Sequence, residues 1–577
     1  MYLIVISVLL WFFVLGSVAF LSYSSKGMFL RTGIVERFSA RLWRSFGDFS
    51  RQRGKCLLLL IVLAIVARLL ALPILHVPEP RSHDEFSYIL AGETFAMGRL
   101  TNPTPPLWQF FETEHELSVP TYMSKYPPLQ GLVIAVGILL GNKWIGILLN
   151  FGLMCGAIYW MACGLVPTRW ALLAGLMPLV HPGIASYWVN SYFGGSVAAV
   201  GGALVLGASS RLARKISLSS ENWFVVGAAI MANSRPFEGA LTAFVAFSTA
   251  ISALARKKRL HLLFNRWLVV PTLIGLFTLA SMLYFNYRVT GDPITMPYVE
   301  WQRQYSPIPL WAWSKLNPAP HYNNQQLKDN YDTTDTIVYR KSATIDAMIN
   351  GRFVGLMHFF VGVTLMPFAI WSLFSLPDKR VRPLWLVLLA GLIGITVTAV
   401  GFQRHYAGPV TGAIYLLLVQ GFRHLRLVKF RDVAIGIPMA RVALLGCVVG
   451  FGCGLYTLPA INAQMQHAQD EFPRVRIMQK LAALPGKHLI VVHYAEGHNP
   501  RREYVVNGPD LDSSKIVWAR DFGTEKNKEL LNYFHDRTVW LFDPDCKPEP
   551  HLYSWDEAKT ATLSTKVDDS DWKNFEY

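Results

Sequence analysis

Apolar residues repeatedly run for close to twenty positions, as in YLIVISVLLWFFVLGSVAFLS (2–22) and, with the single charge of Arg68, CLLLLIVLAIVARLLALPIL (56–75). A helix needs roughly 20 such residues to cross a ~30 Å hydrocarbon layer. Lipid offers no partner for backbone N–H and C=O groups, so a spanning segment of this kind satisfies them internally, as a helix. These runs predict a mostly α, polytopic helical bundle of about twelve spans. They fall at 1–22, 56–75, 143–165, 168–184, 193–210, 222–234, 238–255, 267–285, 353–375, 383–402, 407–420 and 437–458. The composition agrees, with 52% hydrophobic and only 16% charged residues in 577. The first run has no basic segment before it and no small-residue cleavage site after it, so it reads as a retained span.

The charges decide the threading. Residues 24–55 carry Lys26, Arg31, Arg37, Arg41, Arg44, Arg51, Arg53 and Lys55, and basic clusters return in SRLARK, ARKKRLH, PDKRVRP and FRHLRLVKFRD. Basic residues in short loops between spans face the cytoplasm, so the net charge of +16 reports orientation and no nucleic-acid partner is expected. Facing outward are then 77–127, the turn around Asn190, NSRPFEG, the loop 286–350, QRHYAGP and the tail from about 460. That assignment requires PPLQGLVIAVGILLG (127–141) to lie in the interface without crossing, which its shortness favours. The six cysteines offer neither a disulfide framework nor a CxxC metal site.

From about 462 the chain changes character. KHLIVVHYA, KIVWAR and RTVWLFDPD read as strands, with NKELLNYFHDR a helix between the last two. Three parts follow: an N-terminal span and basic segment (1–55), a transmembrane domain (56–460) with outward loops 77–142 and 286–350, and a small extracytoplasmic α/β domain (461–577).

The stretch RSHDEFSYIL opens the first outward loop. Ser82 and Glu85 fit a capping box, and acids suit the first turn of a helix. That accounts for Glu85 better than for Asp84, since a helix start needs no second acid at the lipid boundary. A span, an acidic pair, a surface helix, an aromatic-rich loop and then YMSKYPPLQGLVIAVGILLGN resemble the GT-C glycosyltransferases. The likeness is greatest to the bacterial branch related to protein O-mannosyltransferases and lipid A aminoarabinose transferases. Asp84, Glu85, Pro127, Pro128 and Leu129 carry it, over roughly 56–260.

The resemblance implies an inverting transferase in the bacterial inner membrane. Its donor is a sugar on polyprenyl phosphate, and its acceptor an extracytoplasmic glycan, lipid or protein. Such a reaction needs a base beside the acceptor: Asp84 is the candidate and Glu85 the second choice, with desolvation expected to raise the basicity. Cations should meet the departing phosphate. Arg404, His405, Arg235 and Lys125 are candidates, although Arg235 has Glu238 three residues on and a span-end arginine often only snorkels. His83, Tyr126, Asn190, Tyr192, Tyr298 and Trp301 are candidate substrate contacts.

Many relatives have an acid where HPGIASYWVNSYFGG stands; here there is none, only His181, Asn190 and Tyr192. No cofactor is expected, although His83, Asp84, Glu114 and His115 form a donor set that a divalent metal accepts. Two other classes stay open: a transporter or flippase of lipid-linked saccharide, against which stand charges at span ends and no internal repeat, and a non-catalytic assembly subunit.

Overall fold

A computed structural model of the protein describes residues 2–25, 33–180, 187–263, 268–398, 403–470 and 473–567. Lys26, Arg31 and His181 lie outside them. The first helices are α1 (Tyr2–Ser24), α2 (Gly33–Ser50), α3 (Arg53–Leu70), α4 (His83–Ala96), α5 (Pro128–Leu139), α6 (Lys143–Cys163) and α7 (Thr168–Val180). The chain divides into two compact units, one of residues 1–78, 146–280 and 342–458, the other of 79–145, 281–341 and 459–577.

The first unit is helical. Among the described residues of the whole chain, six helices are long and apolar enough to cross a membrane: Ile4–Ser24, α6, Gly195–Leu212, Pro236–Arg256, Val269–Thr290 and Gly436–Gly454. Thr168–Val180, Met366–Ser375 and Arg382–Val397 are apolar but shorter. α3 has 18 residues and carries Arg53, Lys55 and Arg68. Among the described residues six helices, and not the expected twelve or so, reach spanning length and composition. A helix over 33–50 was not anticipated, because its apolar positions recur every fourth residue between arginines rather than in a run.

Inside this unit the packing relies on small residues, as it must where lipid is as apolar as any side chain. Gly195–Leu212 is buried along almost all its length. A Cβ at Gly202 would lie 1.9 Å from the Pro409 carbonyl oxygen, and one at Gly201 would lie 2.9 Å from that of Gly227. These contacts are backbone against backbone, so nothing flexible yields. Gly202→Val is expected to abolish the monodisperse peak in size-exclusion chromatography of detergent extracts, whereas Gly16→Val, with nothing within 4 Å of its Cβ, leaves it intact.

The second unit gathers residues 79–145 and 281–341 with the tail from 459. It holds α4, α5, a small sheet of order β1-β3-β2 (Asn102–Pro103, Thr121–Ser124, Glu116–Leu117) and the helix Pro297–Tyr305. α4 and α5 touch through glycines: a Cβ on Gly92 would sit 2.4 Å from Ile134 Cγ2, and one on Gly131 2.7 Å from Ala91 Cβ. The tail forms the predicted strands β4 (Lys487–Val492), β5 (Ile516–Arg520) and β6 (Arg537–Asp543), plus β7 (His551–Ser554). Their order is β5-β4-β6-β7, parallel except for the last pair, with the helix Thr524–Tyr533 crossing between β5 and β6 as expected.

Strands buried on both faces need partners on both. On one face Leu489, Val491, Val517 and Ala519 pack with Phe110 and Phe111, which precede β2. On the other, Ile490, Val492, Trp518 and Phe542 pack with Ile477 and Leu481. The segment 461–577, expected as a domain of its own, thus shares a core with residues 79–145.

Candidate active site

The capping box at the start of α4 forms. Ser82 is extended, its hydroxyl accepts from the Glu85 N–H at 3.4 Å, and Glu85 Oε2 accepts from the Ser82 and Arg81 N–H groups at 3.2 and 3.0 Å. Glu85 is buried and turned back into the cap. Asp84, beside it, points elsewhere. His115 Nδ1 lies 3.0 Å from its Oδ1, and the Tyr126 hydroxyl donates to the same oxygen. A quarter of the Asp84 side chain stays exposed.

Both partners are themselves fixed. His115 has φ +63°, its carbonyl accepts from the Ser87 hydroxyl at 2.7 Å, and its N–H donates to the Tyr331 hydroxyl at 3.0 Å. Tyr126 stacks on Tyr88 with ring centroids 4.3 Å apart, and its N–H donates to Ser124 Oγ at 3.2 Å. Three separate segments therefore converge on one carboxylate.

Lys125, next to Tyr126, is buried with its Nζ 3.3 Å from the centre of the Trp301 ring and 5.4 Å from that of Tyr298. The quadrupole of an indole face holds a cation where water cannot. Burial pushes Lys125 down to about 7, against the pull of Asp84, Asp335 and Glu114. It also pushes Asp335 up to about 6, opposed by Lys125 and Arg501. For Asp84 burial acts upward too, but the charge and hydrogen bond of His115, then Lys125 and Tyr126, outweigh it and hold the carboxyl well below the usual range. This corrects the expectation that desolvation raises its basicity: the donors win.

His83 Nε2 lies 3.3 Å from Glu114 Oε2. Burial and then the neighbouring His115 push His83 down to about 4, while burial and then Glu503 and Asp335 push Glu114 far up. Burial thus disfavours the charged form of both. His83, Asp84, Glu114 and His115 thus sit as two acid–histidine pairs, with the His83 and His115 rings 6.1 Å apart, instead of converging on one point. Among the described residues no three His, Cys, Asp or Glu side chains are grouped as metal ligands.

The remaining candidates belong to the first unit. His405 is buried, with the Tyr187 hydroxyl 3.0 Å from its Nδ1 and its ring stacked on Phe193 at 4.7 Å, so it packs. The Arg404 guanidinium is 5.5 Å from the Phe359 ring and 5.8 Å from that of Tyr187. Arg235 lies 3.8 Å from Glu238 and 3.7 Å over Tyr406. Asn190 Oδ1 accepts from Arg68 Nε at 2.7 Å, and the Tyr192 hydroxyl donates to the Pro78 carbonyl at 3.0 Å. These contacts give Asn190 and Tyr192 structural work.

Sequence reasoning missed Asp335 and Tyr331, and it read His115 only as a metal donor. It also passed over Arg68, which is buried and ties Asn190 to the Leu75 and His76 carbonyls at 2.9 Å each. Arg68 had a signal, a lone arginine in the apolar run of α3.

No family model matches the chain, and no curated protein matches it. Solved structures do. The apo structure of ArnT from Cupriavidus metallidurans superposes with a TM-score of 0.50 over 84% of this chain and 92% of that one, at 11% identity. The fold is the GT-C fold. ArnT bound to undecaprenyl phosphate aligns at 12% identity and a TM-score of 0.47, covering 78% of this chain and 84% of that one. The archaeal oligosaccharyltransferase AglB from Archaeoglobus fulgidus, in complex with an inhibitory peptide and a dolichol-phosphate, aligns at 11% and 0.45, covering 85% and 69%. At these identities a GT-C fold is what the likeness establishes. In the second unit the Asp84 carboxylate and the Lys125 side chain, seated over the Trp301 ring, stand near enough for each to act electrostatically on the other.

Proposed function

We propose that the protein transfers a sugar from a polyprenyl-phosphate donor to an acceptor hydroxyl or amine outside the cytoplasm, with inversion. The observation that carries this reading is the pairing of Asp84, ionised and held by two donors, with the buried Lys125. The acceptor atom attacks the anomeric carbon while the carbon–oxygen bond to the lipid phosphate breaks. The acceptor proton passes to Asp84. The phosphate keeps the bonding electrons and stays on the lipid, and Lys125 meets its charge.

A carboxylate this acidic is a poor base toward a neutral alcohol. It serves by accepting the acceptor's hydrogen bond in the ground state and taking the proton late, once the new bond has made the acceptor atom acidic. Tyr126, His115 and the cap on α4 set its direction. Tyr298, half-buried, offers a ring face beside the ammonium where a sugar can stack, while the buried Trp301 backs the ammonium itself. On chemistry alone, Arg404 and Arg235 are the further phosphate candidates; Glu85 and His405 are set aside because the cap and the ring stack occupy them.

Binding of a water-soluble polyprenyl phosphate, followed through the Trp301 fluorescence beside Lys125, tests the reading. Lys125→Met is expected to weaken it roughly 10–100-fold, the loss of one charge-assisted contact. A Kd unchanged in the variant would contradict the assignment.

The titration has a sign. Lys125, depressed to about 7, loses its proton as pH rises through that value, so kcat/KM should fall above pH 7. Bound phosphate favours the ammonium and moves the corresponding limb of kcat to higher pH. Lys125→Met should abolish this basic limb, and a limb that persists in the variant assigns it to another group.

A further inference from the structure

The first unit presents its own concentration of charge. α2 exposes Phe38 and Leu42, 68% and 61% accessible and one turn apart, with the exposed arginines Arg41 and Arg44 interleaved. Its only acid beyond the first turn, Asp48, is taken by Arg51 at 3.7 Å. On its inner side Trp43 packs edge-on against Trp170 at 5.3 Å and stacks on Phe46 at 5.8 Å.

Around Trp43 three further arginines arrive from three other helices. The Arg426 guanidinium is 4.7 Å over the Trp43 ring and 5.7 Å from Trp170, that of Arg169 is 5.7 Å from Trp43, and Arg441 donates to Ser39 Oγ at 3.2 Å. Burial lowers Arg426, and its like-charged neighbours Arg169 and Arg441 lower it further. Gathering like charges beside aromatic rings costs free energy unless an anion completes the site.

We propose that α2 and the arginines behind it form a docking site for the headgroup of an anionic phospholipid. An amphipathic helix joined at both ends to apolar helices lies at the lipid–water boundary, where Phe38 and Leu42 enter the acyl layer and the arginines meet headgroup phosphate. A soluble partner would leave those two apolar side chains unexplained, and a plain hydrophobic contact would leave the arginines so. Phosphatidylglycerol supplies both halves, phosphate and chain.

The test uses the full chain in nanodiscs of equal phosphatidylcholine and phosphatidylglycerol, released into native mass spectrometry. The wild type is expected to retain phosphatidylglycerol over phosphatidylcholine. Arg169→Gln with Arg426→Gln should reduce that preference roughly thirtyfold, about tenfold or less per arginine. Phe38→Gln with Leu42→Gln, on an exposed face with no core to lose, should lower retention as well, which keeps the test open if the arginine pair fails to fold. Millimolar inorganic phosphate should not displace the bound lipid. Equal retention of both lipids by the wild type overturns the proposal. So does displacement by phosphate alone, which would mark a soluble-anion site, or unchanged retention in both double variants.

Discussion

Asp84→Asn is expected to lower kcat about 10³-fold with the donor KM within about twofold, the signature of a proton acceptor that does not hold the donor. The amide keeps the size of the carboxylate, so α4, its cap and the stack of Tyr126 on Tyr88 should survive. It cannot take a proton. An amide oxygen still accepts from Tyr126 or His115, which is why thermal stability should change little. His115→Gln is the companion variant: it removes a positioning donor, so a smaller loss, about 10–100-fold, is expected. The charge and hydrogen bond of His115 stand first among the causes that hold Asp84 down, so the same variant should move the acid limb of the pH–rate profile upward. In the wild type that limb is expected below the ordinary aspartate value of about 3.9. Full activity in Asp84→Asn, or loss matched by unfolding, would contradict the role given to Asp84.

Arg520→Leu carries the largest expected loss of stability. The side chains of Arg520 and Glu503 are 1% and 2% exposed and bonded to each other. Arg520 also donates to the Glu112 carbonyl from Nε and Nη2, at 3.0 and 2.9 Å, which ties β5 to the loop between α4 and α5. Glu503 in turn accepts from the Val505 N–H at 2.8 Å and from the Tyr494 hydroxyl. Removing the guanidinium leaves a carboxylate and a carbonyl buried without their cation, a cost of about 3–5 kcal/mol. Replacing Glu503 by Gln as well should recover part of it, because an uncharged partner costs less to bury. Thermal unfolding in detergent measures both. A single variant within about 1 kcal/mol of the wild type would show that the pair does not hold the tail to the loop. The site should feel the change, since Arg520 holds Glu114 down and Glu503 pushes it up.

Local signals made much of this legible. The apolar runs announced the helices, the short β-branched and aromatic runs of KIVWAR and RTVWLFDPD announced β5 and β6, and Ser82 with Glu85 announced a cap that forms. Asp84 stood out because the cap did not need it. The partners were another matter. Lys125 and Trp301 lie far apart in sequence and meet at 3.3 Å only because β3 and the helix Pro297–Tyr305 share a core with Ala91 and Tyr331. His115 reaches Asp84 across a loop that has no motif and turns through a left-handed residue. The raised acidity of Asp84 was missed for the same reason. Burial can be guessed from sequence, but the count of donors at one oxygen depends on segments that only the fold brings together.

The central claim is that this carboxylate and ammonium serve sugar transfer from a lipid phosphate. Purified protein incubated with a panel of polyprenyl-phosphate sugars and assayed for freed lipid phosphate tests it most directly. The account predicts release with at least one sugar, coupled to a glycosylated acceptor and lost in Asp84→Asn. Release that continues undiminished in that variant, or movement of intact lipid-linked sugar across the bilayer with no bond broken, would contradict it.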